Sequence, residues 1–166
     1  MKGAHLGEKD MSSNTDDRLS IRELIDLYCD VINQRDWDRF ERFWTEDAVW
    51  EALDPFTFRA VGREEVCRTI REGRNRNGFV AQLPHAIVID AIEGDSARAH
   101  HTLHIVSQAD AGRGFSSIGI YHDELRRCAD GWRFSKRSLR PYWHDPEAPG
   151  GFAMEVALRD KSPGKF

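Results

Sequence analysis

Val80-Ala81-Gln82-Leu83-Pro84-His85-Ala86-Ile87-Val88-Ile89-Asp90-Ala91-Ile92 decides how this chain is read, because here the apolar period changes to two. Before Gly78 the apolar residues recur at three and four positions, as on helices. After it they alternate, as on strands. Successive strand side chains point to opposite faces, so a regular strand puts His85 with Leu83, Ile87 and Ile89. An imidazole on an apolar face is either a hydrogen-bonded core residue or the working group of a lined pocket.

Downstream, Glu93-Gly94-Asp95 reads as a hairpin turn. Residues 97–108, 115–128 and 132–142 read as three further strands, separated by turns at 109–114 and at Ala129-Asp130-Gly131. Upstream, Leu24, Leu27, Tyr28, Val31 and Ile32 mark an amphipathic helix, with Asn14, Thr15 and Asp16 as capping candidates. Asp36 opens a shorter helix over 37–44, residues 48–51 form a short strand, and Gly62 precedes a third helix. Helices followed by an antiparallel meander give an α+β fold, with the helices packed on one face of a strongly curved, mainly antiparallel sheet. Such a sheet closes into a cone with one open end, suited to a small apolar ligand. The expected division is a flexible arm over residues 1–14, the cone-shaped barrel over 15–145 and a Pro- and Gly-rich tail over 146–166.

Composition removes several functions. A net charge of −4 gives no support for a nucleic-acid partner. Cys29, Cys67 and Cys128 are odd in number and far apart, so no zinc spacing or disulfide framework is visible, which suits a reducing cytoplasm. No apolar run approaches the roughly 20 residues of a membrane helix, and the first residues lack a leader-like apolar core. No membrane partner is expected.

Few polar side chains can reach the inside of such a cone. They are Tyr28 and Asn33 on the first helix, Trp50 and Asp54 at the first strand and its turn, His85, His101 and Tyr121. His101 shares a face with Leu103 and Ile105, and Tyr121 with Asp123, while His100 and His104 face the other way. The bland readings are that Tyr28 is a core residue, that Trp50, Trp132 and Phe134 are packing, and that Asp123 forms a surface or cross-strand ion pair with Arg127 or Arg137. At most two of the three histidines on this strand converge, so no metal is expected. No phosphate loop or nucleophile elbow is present.

In order and spacing, Tyr28, Asn33-x-x-Asp36-Trp37-Asp38, Phe43, Asp47-Ala48-Val49-Trp50, Gly62-Arg63, His85, Gly119-x-Tyr121-x-Asp123-x-x-x-Arg127 and Asp130-Gly131-Trp132-Arg133-Phe134 resemble the SnoaL-like branch of the nuclear transport factor 2-like superfamily. That branch is similar to scytalone dehydratase, to bile-acid dehydratases and to a hexachlorocyclohexane dehydrochlorinase. The resemblance implies a cone-shaped α+β barrel, cofactor-independent chemistry on a small lipophilic substrate, and a homodimer or homotrimer. It also implies a strand histidine acting as general base or acid, held by a helix aspartate. His85 falls on the histidine position, and Asn33 on the aspartate position. Asparagine can orient an imidazole but offers no charge to the imidazolium. A carboxylate such as Asp30 or Asp54 then completes the dyad, or the chemistry differs, or there is none.

Two functions follow. In the first, the chain is a lyase or isomerase of dehydratase type, acting on a small polyketide-, steroid- or aromatic-derived molecule. His85, Asn33 and Tyr28 are catalytic, and Trp50, Asp54, Tyr121 and His101 bind substrate. In the second, it is a non-catalytic ligand-binding or assembly module of the same fold, like a dioxygenase small subunit. An open apolar cavity above about 300 Å³, with His85 and a carboxylate converging in it, separates the first from the second.

Overall fold

The computed structural model describes residues 7–76, 78–108 and 114–147, with side chains from Asn14 onward. Helix α1 spans Gly7–Gln34 and helix α2 spans Arg63–Asn75. There are six strands, the five expected and one more, β2: β1 (Trp44–Ala52), β2 (Phe58–Val61), β3 (Phe79–Glu93), β4 (Ser96–Gln108), β5 (Gly114–Cys128) and β6 (Gly131–Asp145). They form one sheet in the order β2-β1-β6-β5-β4-β3. Its pairings are antiparallel except β1 with β6, which is parallel. The sheet is curved and unclosed, and the helices cover its concave face. Strand β2 is too short for periodicity to reveal. The expected turn at 109–114 and tail at 146–166 lie largely outside the described residues.

Two local expectations need correcting. Helix α1 begins at Gly7, upstream of Asn14, so residues 7–14 are helical rather than a loose arm. Nothing between Glu8 and Asp16 breaks a helix, and once a ladder is running each further residue adds a bond cheaply. Asp17 serves a tertiary contact. Its carboxylate accepts both Arg127 Nη1 and Nη2 at 2.6 Å and Trp132 Nε1 at 3.1 Å, which pins α1 to the β5–β6 hairpin. The short helix expected over 37–44 is two 3-10 turns, Trp37–Arg39 and Glu41–Phe43. Residues three apart eclipse in that geometry, which brings Phe40 and Phe43 together against Tyr28.

The larger correction concerns β3. His85 pairs with Thr102, but the next pair is Val88 with His100. Ala86 and Ile87 therefore oppose His101 alone, and Ala86 takes a φ of 49°. This is a bulge, and one extra residue reverses which face later side chains occupy. Val80 and Gln82 are buried before it, and Ile89 after it. His85 is thus not on the face of Ile87 and Ile89. It is exposed on the convex side with Leu83 and Val88, which are 43% and 42% exposed.

Strand β3 is a sheet edge, with unpaired backbone groups on its free side. Asn33 satisfies two of them. Its Nδ2 donates to the Gln82 carbonyl at 2.9 Å, and its Oδ1 accepts the Gln82 amide at 2.7 Å. An aspartate could accept the amide but would set its second oxygen against the carbonyl. Asn33→Asp is therefore expected to destabilise the fold by about 1–3 kcal/mol at pH 7. Urea unfolding midpoints of the two proteins check this, and equal midpoints would exclude the clamp.

Candidate functional site

Inside the cone, β5 and β6 place Asp123 opposite Arg137 as a register pair. Both side chains are wholly buried, so of the cross-strand or surface pair expected with Arg127 or Arg137 the structure has the cross-strand pair with Arg137, set in the core. Arg137 Nε donates to Asp123 Oδ1 at 2.8 Å, and Nη2 to Oδ2 at 3.2 Å. His101 of β4 completes the cluster: its Nε2 lies 3.3 Å from Arg137 Nη2 and its Nδ1 3.4 Å from Asp123 Oδ2. The guanidinium also sits 4.2 Å from the Tyr28 ring, 4.2 Å from Tyr121 and 4.0 Å from Phe134. Three π faces and a carboxylate therefore replace its lost hydration.

The protonation states follow from this packing. Burial alone would push the Asp123 carboxyl up, but Arg137 and His101 together outweigh it and hold the group below its ordinary range. Burial lowers His101, against the opposing pull of Asp123. Burial likewise raises both tyrosines, Tyr28 furthest, so each keeps its proton at ordinary pH.

Above Tyr121 the cone opens into a cavity of about 450 Å³. Strands β1 and β2 and the turn between them contribute Trp50, Phe56 and Phe58. Helix α2 contributes Ile70 and Arg74, and β4 to β6 contribute Ile105, Phe115, Ser117, Tyr121, Leu139 and His144. Trp50 Nε1 donates to the Tyr121 hydroxyl at 3.0 Å. Indole nitrogen is donor-only, so the Tyr121 oxygen must be the acceptor. The phenol's own proton is thus free to donate elsewhere. The His144 ring packs 4.9 Å from Phe56 and 5.4 Å from Phe115.

Of the residues singled out from sequence, Trp50 and Tyr121 meet at this cavity. His101 lies behind it, its ring 5.5 Å from that of Tyr121. Tyr28 is further down, across Arg137 from Tyr121, in a nest of Phe40, Phe43, Trp44 and Phe134. Asn33 holds β3 backbone rather than an imidazole. His85 faces outward because of the bulge. Asp54 stands exposed in its turn, accepting Thr57 Oγ1 at 2.9 Å. The expected dyad is therefore not assembled. Sequence reasoning missed Phe56, Phe58, Arg74, Phe115, Ser117 and His144. A parity rule could have found two of them, since Phe115 and Ser117 share the strand face of Tyr121.

No group of three or more metal-ligating side chains converges among the described residues. No described helix is long and apolar enough to cross a membrane.

Fold and cavity together define a nuclear transport factor 2-like cone protein. The chain belongs to the SnoaL-like domain family, whose pattern matches residues 13–138. Comparison with proteins of curated function finds no match. Solved structures resemble it closely in shape. A provisionally assigned scytalone dehydratase from Novosphingobium aromaticivorans superposes with a TM-score of 0.75 at 18% identity, covering 87% of this chain and 99% of that one. A provisionally assigned aromatic ring hydroxylase from the same organism gives 0.73 at 22%, covering 78% and 91%. The hexachlorocyclohexane dehydrochlorinase LinA-type3 from Novosphingobium barchaimii gives 0.74 at 17%, covering 88% and 99%. At these identities the likeness is one of fold.

Buried and neutral, His101 links stability to pH. The unfolded chain takes a proton on this ring near pH 6.5, whereas the folded chain takes it only at lower pH. The unfolded state then binds more protons, so stability should fall as pH drops below about 6.5. Urea midpoints between pH 7.5 and 5.0 should decline less steeply for His101→Gln than for the parent chain. Parallel declines would mean that this ring is not the source.

Proposed function

We propose that the chain binds a small, mainly apolar, ring-containing molecule in the cone cavity and acts on it as a cofactor-independent lyase or isomerase. The observation that carries this reading is the Tyr121 hydroxyl, a phenol held neutral by burial with its oxygen fixed by Trp50 at an aromatic-walled cavity. A fixed O–H donor in an apolar site stabilises negative charge that develops on a substrate oxygen during reaction. The enzymes of similar fold support the class of chemistry as an analogy, not as a demonstration.

In the dehydration form of this chemistry, a base takes a proton from a carbon next to the one bearing oxygen. The C–H electron pair becomes the new double bond, the C–O bond breaks, and the departing oxygen takes a hydrogen bond from Tyr121 and the abstracted proton from the protonated base, leaving as water while Tyr121 keeps its own proton. In the isomerisation form, Tyr121 donates to the oxygen of an enolate and the proton returns to a different carbon. Among the described residues lining the cavity, His144 is the one imidazole and no carboxylate is present. His144 is therefore the proton acceptor in this proposal, in place of His85.

That missing carboxylate favours a second reading, a binding module of the same fold without chemistry. The two separate on one experiment. A panel of cyclic alcohols, ketones and halides is screened for binding and turnover, and Tyr121→Phe is then compared with the parent. The enzyme reading expects turnover to fall by about 10²–10³ with binding little changed. Ligand binding without turnover across the panel would leave the module. Turnover indifferent to Tyr121→Phe would remove Tyr121 from the chemistry.

A further inference from the structure

Helix α2 carries several arginines with different circumstances. Arg63 is paired with Glu46 at 2.9 Å, and Arg68 with Glu65 and Glu72 at 2.8 and 3.0 Å. Arg74, six residues beyond Arg68, has no carboxylate within 4.0 Å among the described residues, although its side chain is half-buried and lines the cavity. It is the one permanently charged side chain on that lining among the described residues. Its field is felt at Tyr28, Cys29 and Tyr121, as for a guanidinium on the inward side of the helix.

A half-buried guanidinium without an anion gives up hydration with no Coulombic return. Its position in the last turn of α2 offers some compensation from the helix carbonyls, worth only a fraction of a kcal/mol when exposed. The rest of the wall is aromatic and aliphatic, so a ligand fitting it has a flat apolar body. What such a body lacks for this site is an anion to meet the fork of Arg74.

We infer that the cavity's ligand is an aromatic or polycyclic carboxylate, its ring system between Trp50, Phe58 and Phe115 and its carboxylate paired with Arg74. This rests on the cavity being the ligand site, as proposed above. Arg74 then fixes the ligand's orientation, with the carboxylate toward α2 and the opposite end of the ring system toward other parts of the wall. A guanidinium matches a carboxylate with two parallel N–H···O bonds, which an ammonium cannot do. The same site discriminates against the neutral amide of the same shape, because an amide leaves the charge unpaired.

The test uses the full chain with 2-naphthoate and biphenyl-4-carboxylate, each beside its neutral primary amide, in titration calorimetry. At least one carboxylate should bind the parent about 10-fold or more tighter than its amide. Arg74→Gln should erase that preference with the amide's affinity unchanged, and Arg74→Lys should restore part of it. Leu139→Trp, which fills the cavity, should weaken every probe. If amides bind, are blocked by Leu139→Trp, and match their carboxylates, the cavity reading stands and the anion assignment falls. If the carboxylate preference survives Arg74→Gln, the assignment to Arg74 falls. If no probe binds, or Leu139→Trp blocks none, both readings fall together.

Discussion

The buried contact between Arg137 and Asp123 organises the interior. Removing both charges from water costs several kcal/mol per ion, which the pairing offsets in part, since Arg137 Nη1 is buried without a hydrogen-bond partner. The carboxylate meets two guanidinium nitrogens, and three aromatic rings lie within 4.2 Å of the guanidinium carbon. Those rings come from α1, β5 and β6, so one cation fixes how the first helix sits on the meander. It also divides the cone. Tyr28 lies on one side of Arg137 and Tyr121 on the other, so the space below Tyr121 is filled and the space above it is open.

This division explains why the two tyrosines, so similar in sequence terms, differ in consequence. Both are buried and both keep their protons. Tyr28 meets only rings and the guanidinium around its own ring. Tyr121 meets Trp50 through its oxygen and also lines the cavity. The polarity of that one hydrogen bond is what leaves a proton available at the cavity, because an indole can only give.

The fold was legible because it rests on patterns that survive local error. The switch from helical to strand period at Gly78, and turns carrying Gly at 94 and 131, set the order of elements however their ends shift. Both glycines adopt the positive φ those turns need, 62° and 126°. The site was less legible because it rests on parity, and parity does not survive a single bulge. Nothing in Pro84-His85-Ala86-Ile87 announces that two residues will oppose one, and Ala86 is not a residue that favours positive φ. On β5 the strand stays regular around Tyr121, and there Tyr121 and Asp123 share the concave face as alternation requires. Arg74 and His144 were hidden differently. One sits in a polar run that reads as a solvated helix end, and the other lies beyond the expected end of the last strand.

The bulge and the asparagine at position 33 belong to one structural solution. With His85 turned outward, a carboxylate at position 33 would have no imidazole to hold and would face the edge of β3 instead. That edge presents both a donor and an acceptor from Gln82, and an amide answers both where a carboxylate answers one. The substitution is thus coherent with the backbone around it rather than a lesion in an otherwise intact dyad. The same logic bears on the proposed chemistry. A histidine–aspartate pair would bring a negative charge close to a ligand in the cavity, whereas among the described residues the one buried carboxylate is held against Arg137 and Arg74 lines the cavity. In the proposed site Arg74 would favour an anion in the ground state or one that forms during proton transfer. A neutral phenol there does not compete with the anion for the cation, and it donates to the same developing charge. An aspartate at the same place would work against both.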